Sequence, residues 1–202
     1  MYRPTAGEIC FEGRRTDGLP PQRIAALGIG RTFQIVKPFA HLTVLENVLA
    51  ARGIACYDSL TRVWAAWKTP VETRAAMALL DRVGLGALAG RPAGLLPLGD
   101  LRRLEIARAL AVGRRLLLLD ESFSGLRHEE IAQIETLVRG IREGGVTVLL
   151  IEHNMRVAMG LCDRLVVLDH GRKLAEGDPA AVRTDAAVIE AYLGRKGATH
   201  AA

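Results

Sequence analysis

Hydrophobic and polar positions along this chain fall into three kinds of pattern, and their order predicts its layout. The first kind is the unbroken apolar run. Leu116 to Leu119 is four leucines in succession, and Val146 to Ile151 is a second run rich in β-branched residues. Runs without polar alternation predict strands that are apolar on both faces, in the middle of a covered parallel sheet. One ends in Asp120-Glu121 and the other in Glu152-His153-Asn154. The second kind is the helical stripe. Ile131, Ile134, Val138 and Ile141 share one face of a helix from about His128 to Glu143, with Glu129 and Glu130 in its first turn and Gly144-Gly145 after it. A strand, helix and strand in this order predict a right-handed crossover that sets Asp120, Glu121 and His153 along one sheet edge, where α/β proteins bind ligands.

The third kind is short pieces punctuated by glycine and proline. Gly7 to Gly13 reads as a strand with Ile9 and Phe11 on one side. Leu19-Pro20-Pro21 is a turn, Gln22 to Leu27 a helical piece, and Gly28 to Gln34 a strand ending on a carboxamide able to ligate a metal or orient water. From His41 to about Gly113 the pattern is helical. Thr43-Val44-Leu45-Glu46 and Thr69-Pro70-Val71-Glu72 both read as capping boxes, the second with proline at the first helical position. Trp64 and Trp67 between them are expected packing anchors, and Gly84 is a helix stop followed by a glycine-rich loop. Leu101, Leu104, Ala107 and Leu110 or Ala111 then form one helical face, with Asp100 as its expected cap. Downstream, Leu165 to Leu168 and Lys173 to Ala175 predict a hairpin around Asp169-His170-Gly171. Asp178 and Thr184-Asp185 each start a short helix, the last ending at Gly194.

Composition narrows the function classes. The chain has 202 residues, 50% hydrophobic, with a formal net charge of +5. Its arginines are scattered and form no basic, aromatic-interleaved patch, which argues against nucleic acid as a partner. Cys10, Cys56 and Cys162 form no CxxC pair and read as free thiols in a reducing compartment. No apolar run reaches the length of a membrane span, and the first residues lack a signal-peptide core.

The candidate chemistry sits at the strand ends. Two carboxylates after a buried strand, Asp120 and Glu121, suit a hard cation and activation of a water. The turn Leu96-Pro97-Leu98-Gly99-Asp100 before a helix leaves backbone amides at the positive end of the helix dipole, a phosphate-binding geometry.

Taken together, these motifs resemble the nucleotide-binding subunit of an ABC transporter. The order is glutamine after a strand, helical insertion, Leu-Pro-Leu-Gly-Asp before a helix, Leu-Leu-Leu-Leu-Asp-Glu, then strand and histidine. More narrowly, Arg-Thr-Phe-Gln-Ile-Val-Lys-Pro-Phe, Arg-Arg-Leu-Glu-Ile-Ala-Arg-Ala-Leu and Ala-Tyr-Leu-Gly at 191–194 resemble importers of branched-chain amino acids and amides. The resemblance covers residues 1 to about 195. It implies an α/β fold with a P-loop NTPase-like parallel sheet from residues 1–40 and 114–195, an inserted helical subdomain over 41–113, and a tail at 196–202. It implies ATP and Mg2+ as cofactors and ATP hydrolysis as the reaction. Gln34 is then the Q-loop glutamine at the magnesium, Leu96, Pro97, Leu98, Gly99 and Asp100 the signature motif on the opposite subunit's γ-phosphate, and Asp120 the Walker B aspartate at the metal. Glu121 is the general base and His153 the switch histidine. Implied partners are membrane subunits, a second ATP-binding subunit and, indirectly, a binding protein, at the inner face of the cell membrane.

Several residues depart from the family pattern. Pro97 and Leu98 stand where serine and glycine are usual in the signature, and Asp100 where glutamine is. Ser122 stands where proline usually follows the glutamate, and Arg127 takes a D-loop position usually held by Asp or Asn. A P-loop needs Gly-x-x-x-x-Gly-Lys-Ser/Thr, and neither Lys37, Lys68, Lys173 nor Lys196 lies in such a frame. In the family, the stretch from Tyr2 lies just after the P-loop helix, so the resemblance implies a subunit truncated ahead of its P-loop, with a sheet edge left bare. These residues alone are expected not to bind MgATP. Two other readings are a non-catalytic fragment that docks on a transporter ATPase, and a soluble ABC-type ATPase.

Overall fold

The structure is a computed structural model that describes residues 4–53 and 68–191. Trp64, Trp67, Cys56 and the expected helix end at Gly194 lie outside the described residues. The chain divides into two compact units, one up to Ile151 and one from Glu152 onward.

The first unit is built on a three-stranded parallel sheet in the order β3-β4-β5, where β3 is Ile29–Arg31, β4 is Leu116–Asp120 and β5 is Thr147–Ile151. Its register pairs Arg31 with Leu118 and Asp120 with Ile151, so the three strands finish at one edge. The two apolar runs are neighbours, as their pattern predicts. Their burial differs from the expectation. In β4 only Leu117 and Leu119 are buried, and Leu116 and Leu118 are half-buried. β5 is the last strand of this sheet, and Leu149 and Ile151 are about half exposed, at 49% and 54%. An edge strand is covered on fewer sides than a central one, whatever its composition.

The N-terminal piece also differs. Cys10–Phe11 (β1) and Arg14–Arg15 (β2) form a small antiparallel hairpin in place of one strand over 7–13. Glu12 and Gly13 between them have φ of +49° and +74°, the left-handed pair that a two-residue hairpin turn requires. Helix α1 (Pro21–Ala26) follows, starting on its proline.

Three helices pack on one another beside the sheet: α2 (Val44–Gly53), α3 (Pro70–Arg82) and α4 (Leu98–Val112). The Thr43 box is complete. Thr43 Oγ1 accepts from Glu46 N–H at 3.1 Å, and the Glu46 carboxylate accepts from Thr43 N–H at 2.9 Å. Lys68 donates to the same carboxylate and, with the Thr43 bonds, lowers its pKa to about 2. At α3, Thr69 accepts from Glu72 N–H, but the Glu72 carboxylate binds Arg52 at 2.6 Å. Asn47 is fully buried and was given no role by the sequence pattern; its side chain bonds the backbone of Phe39 at both N–H (2.9 Å) and C=O (3.1 Å).

Helix α4 departs most from its expected stripe. Leu104, Ala107 and Leu110 are buried, but so are Arg102, Glu105, Ile106 and Ala109, while Leu101 is only half-buried. The helix lies against α2, α3 and β3 at once, so most of its circumference is covered and charged positions are buried along with apolar ones. The approach to β3 is close: a Cβ on Gly30 would stand 2.1 Å from the carbonyl oxygen of Ala109. Backbone faces backbone there and neither can rotate away. Gly30→Ala is therefore expected to destabilise the first unit by about 3 kcal/mol, read as a lowered urea midpoint; an unchanged midpoint would refute the close packing.

After Asp120 the first unit continues through α5 (His128–Glu143), which buries Ile134, Val138 and Ile141. The second unit contains α6 (Met155–Leu161), capped by Asn154, the antiparallel hairpin of β6 (Leu165–Asp169) and β7 (Arg172–Gly177), and α7 (Pro179–Thr184). His170 and Gly171 turn the hairpin with φ of +44° and +79°. Asp178 caps α7, and Asp185 accepts from Ala187 and Val188 at the start of a helix from residue 186. Ala158, Leu165, Val182 and Val188 form the core of this unit.

Candidate functional site

The site is assembled where β3 and β4 end. Arg31 is the last residue of β3, and its guanidinium donates to Asp120 Oδ2 at 2.9 Å. The chain then bends so that the Gln34 carboxamide donates to Glu121 Oε2 at 2.8 Å. Residues 87 positions apart are joined because the parallel register places both strand ends together. Glu121 has a φ of +46°, a left-handed conformation that is uncommon for a residue with a side chain. Its N–H donates to Ile151 C=O at 2.9 Å, and its own C=O accepts from Ser124 N–H at 3.2 Å. Such strain, of order 1–3 kcal/mol, persists only where the surroundings determine the conformation.

A cavity of about 640 Å³ opens beside these groups. Arg31, Lys37 and Arg108 give it cations, Glu105 and Asp120 give it acids, and Phe33, Ile35 and Val112 give it apolar wall. Its oxygen donors suit a hard, oxygen-loving cation. The Asp120 carboxylate, one oxygen of which is paired with Arg31, and the Gln34 carboxamide oxygen both line the cavity, and an Mg2+ held there would take its remaining positions from water and phosphate. Gln34 engages Glu121 through its nitrogen, which leaves the amide oxygen for such a role.

At the start of α4, Leu96 is buried and Pro97 holds the cap position with extended backbone, φ −65° and ψ 164°. Proline offers no side-chain acceptor, so the first amides of the helix are left without a side-chain cap. Leu98 is 39% exposed. Gly99 is buried against Glu130, whose carboxylate a Cβ at position 99 would meet at 2.5 Å. Asp100 does not cap the helix. It lies in the first turn and binds Arg103 at 2.5 Å, because the cap position belongs to Pro97 three residues earlier.

Arg102 is the residue that pattern reasoning missed. It is 5% exposed, donates to Phe33 C=O at 3.3 Å, and makes a longer 3.5 Å contact with Ser124 C=O. One side chain thus links α4 to the stretch before Gln34 and to the turn after Glu121. Glu105, equally buried, is its partner at 3.5 Å. Burial pushes the Glu105 carboxyl up from its ordinary value, against the pull of Arg102 and Arg108. The signal available in the sequence was an Arg and a Glu three apart among otherwise apolar helix positions.

The two departures after Glu121 have local partners. Ser122 is 1% exposed, with its Oγ 2.9 Å from Thr32 Oγ1. Arg127 precedes α5, and its N–H donates to the Glu130 carboxylate at 2.8 Å; its guanidinium has no acceptor with which to return the cap. His153 belongs to the second unit, where it is exposed beside the Asn154 cap of α6.

Comparison with known proteins places this geometry in a family. The family described as "ABC transporter" matches residues 1–124, and the one described as "Branched-chain amino acid ATP-binding cassette transporter" matches residues 172–198. The high-affinity branched-chain amino acid transport ATP-binding protein LivG of Salmonella typhimurium is 41% identical, over 96% of this chain and 78% of its own length. BraF of Pseudomonas aeruginosa, with the same description, is 40% identical over the same shares. The lipopolysaccharide export system ATP-binding protein LptB of Acidithiobacillus ferridurans is 34% identical over 96% of this chain and 76% of its own. Among solved structures, the ADP conformation of an ATP-binding cassette of an ABC transporter has a TM-score of 0.82 at 29% identity, over 96% of this chain and 79% of that one. A nucleotide-free cassette has a TM-score of 0.81 at 28% identity, over 95% and 78%. The chain belongs to the ATP-binding cassette family of ABC transporters. It is an ABC-type ATPase subunit, in a family that binds nucleotide and works with membrane subunits.

Proposed function

We propose that this chain is the ATP-hydrolysing subunit of an importer for branched-chain amino acids or related amides. The observation that carries the catalytic part is the Gln34 carboxamide resting on the Glu121 carboxylate at 2.8 Å, beside Asp120 at the end of a parallel sheet. The substrate rests on the branched-chain amino acid transport relatives and on the matching segment at 172–198.

In this reading Asp120 and the Gln34 amide oxygen would hold Mg2+, which would supply positive charge against the phosphates. Glu121 accepts the proton of the attacking water, and Gln34 orients both. His153 donates to the γ-phosphate. Leu96, Pro97, Leu98, Gly99 and Asp100 present the amides at the head of α4 to a nucleotide held by a second subunit. Residues 1–40 and 114–195 are the ATPase core and 41–113 a helical subdomain that meets the membrane subunits, with a binding protein supplying cargo from outside. No helix among the described residues is long and apolar enough to cross a membrane; the subunit works at the inner face, through its partners.

These 202 residues hold no glycine–lysine phosphate loop, so transport is tested on the polypeptide preceded by such a segment. Proteoliposomes carrying it with its membrane subunits and binding protein should take up labelled leucine only with ATP inside the compartment that holds this subunit. Hydrolysis that ignores leucine and its binding protein, and responds to lipopolysaccharide, would overturn the importer reading in favour of export.

A further inference from the structure

The turn that carries Glu121 is fastened to the strand beside it by two buried hydroxyls, and we propose that Thr32 and Ser122 are positioning residues for the Glu121 carboxylate. The proposal rests on Glu121 being the base. Thr32 and Ser122 are 2% and 1% exposed. Thr32 follows the last residue of β3, and its N–H donates to Leu118 C=O at 2.9 Å. Its Oγ1 accepts from Asp120 N–H at 3.1 Å and lies 2.9 Å from Ser122 Oγ.

A hydroxyl has one proton and two acceptor positions. With one acceptor position of Thr32 Oγ1 used by Asp120 N–H, the second takes the Ser122 hydroxyl proton, and the Thr32 proton faces Leu118 C=O at 3.5 Å. The clamp therefore grips the residue before Glu121 through its amide and the residue after it through its side chain. Between them Glu121 keeps its left-handed φ of +46°. Gln34 lies two residues beyond Thr32, so the same fastening fixes the carboxamide that meets the carboxylate. Neither hydroxyl reaches Glu121's carboxylate in the hydrogen-bond pattern; their action is on the angle at which it is presented. Buried polar pairs of this kind define one geometry because each loses its partner if the turn shifts.

The test uses the polypeptide bearing a phosphate loop, assayed for ATP turnover and thermal stability. Thr32→Val keeps the side-chain shape and removes the hydroxyl; Thr32→Ser keeps the hydroxyl. Thr32→Val should lower kcat by about 10- to 100-fold, the scale of a small misplacement of a catalytic group, with KM for ATP unchanged. Thr32→Ser should keep the parental kcat. Combined with Glu121→Gln, Thr32→Val should cost nothing further, because the two act as a unit. Should Thr32→Val fail to fold, Ser122→Ala leaves the Asp120 bond intact and carries the same comparison. Thr32→Val that melts earlier yet turns over at the parental rate, with Glu121→Gln inactive, would overturn the clamp alone. A parental rate in Glu121→Gln would overturn the assignment of the base, and the clamp's role with it.

Discussion

Glu121→Gln, in a polypeptide preceded by a phosphate loop, should lose ATP turnover by at least about 100-fold, the low end of what a positioned base contributes. It should keep ATP binding. The replacement amide retains the shape of the carboxylate, and its oxygen still accepts from the Gln34 nitrogen that now lies 2.8 Å away. What it loses is the capacity to take a proton from water. Asp120 and the amides at the head of α4 are untouched, so nucleotide continues to be held while the step that releases it fails. The expected state is an ATP-bound dimer, seen as a larger species on size-exclusion chromatography with stoichiometric unhydrolysed nucleotide. Turnover at the parental rate would show that another group activates the water.

Local devices in this chain were legible from sequence, and devices that need tertiary burial were not. The Thr43–Glu46 box forms both of its bonds because both partners lie within one helical turn. The Thr69–Glu72 box forms one, because Arg52, twenty positions away, draws off the second carboxylate. The run Val146 to Ile151 has the composition of a central strand, but composition does not state how many sides a strand has covered. For α4, the charges of Arg102 and Glu105 argue for a solvent face, but the packing of α2, α3 and β3 buries both. The site itself was legible in a different way. The order of Gln34, the helical stretch, Asp120 and Glu121 identified the family; the parallel register that sets Arg31 opposite Leu118 is what joins Gln34 to Glu121. The Thr32–Ser122 pair had no signal in either residue alone, since serine and threonine at strand ends are commonplace.

Arg102→Met should cost about 3–5 kcal/mol, the usual penalty for breaking a buried pair from one side. Arg102 and Glu105 are each 5% exposed, so water does not replace the lost partner. The deficit should depend on pH, with a definite sign. Burial already raises the Glu105 carboxyl above its ordinary value of 4.5, and Arg102 is the largest influence opposing that rise. Without it the folded-state value climbs further. Above the unfolded value the native chain then holds a proton that the unfolded chain has released, so stability falls as pH rises through that window. The variant should therefore lie nearest the parent at about pH 4 and farthest at about pH 7.5 in urea unfolding. Removing both charges, as Arg102→Met with Glu105→Gln, should recover part of the loss, because the carboxylate is no longer buried without Arg102, while the half-buried Arg108 loses the same partner. The parental ties from Arg102 to Phe33 and Ser124 are gone in both variants. A double variant that regains stability while its ATP turnover stays low would separate the two roles of this arginine: neutralising Glu105, and holding the segments of Gln34 and Glu121 against α4. A single variant within about 0.5 kcal/mol of the parent at neutral pH, the range of ordinary surface changes, would refute both.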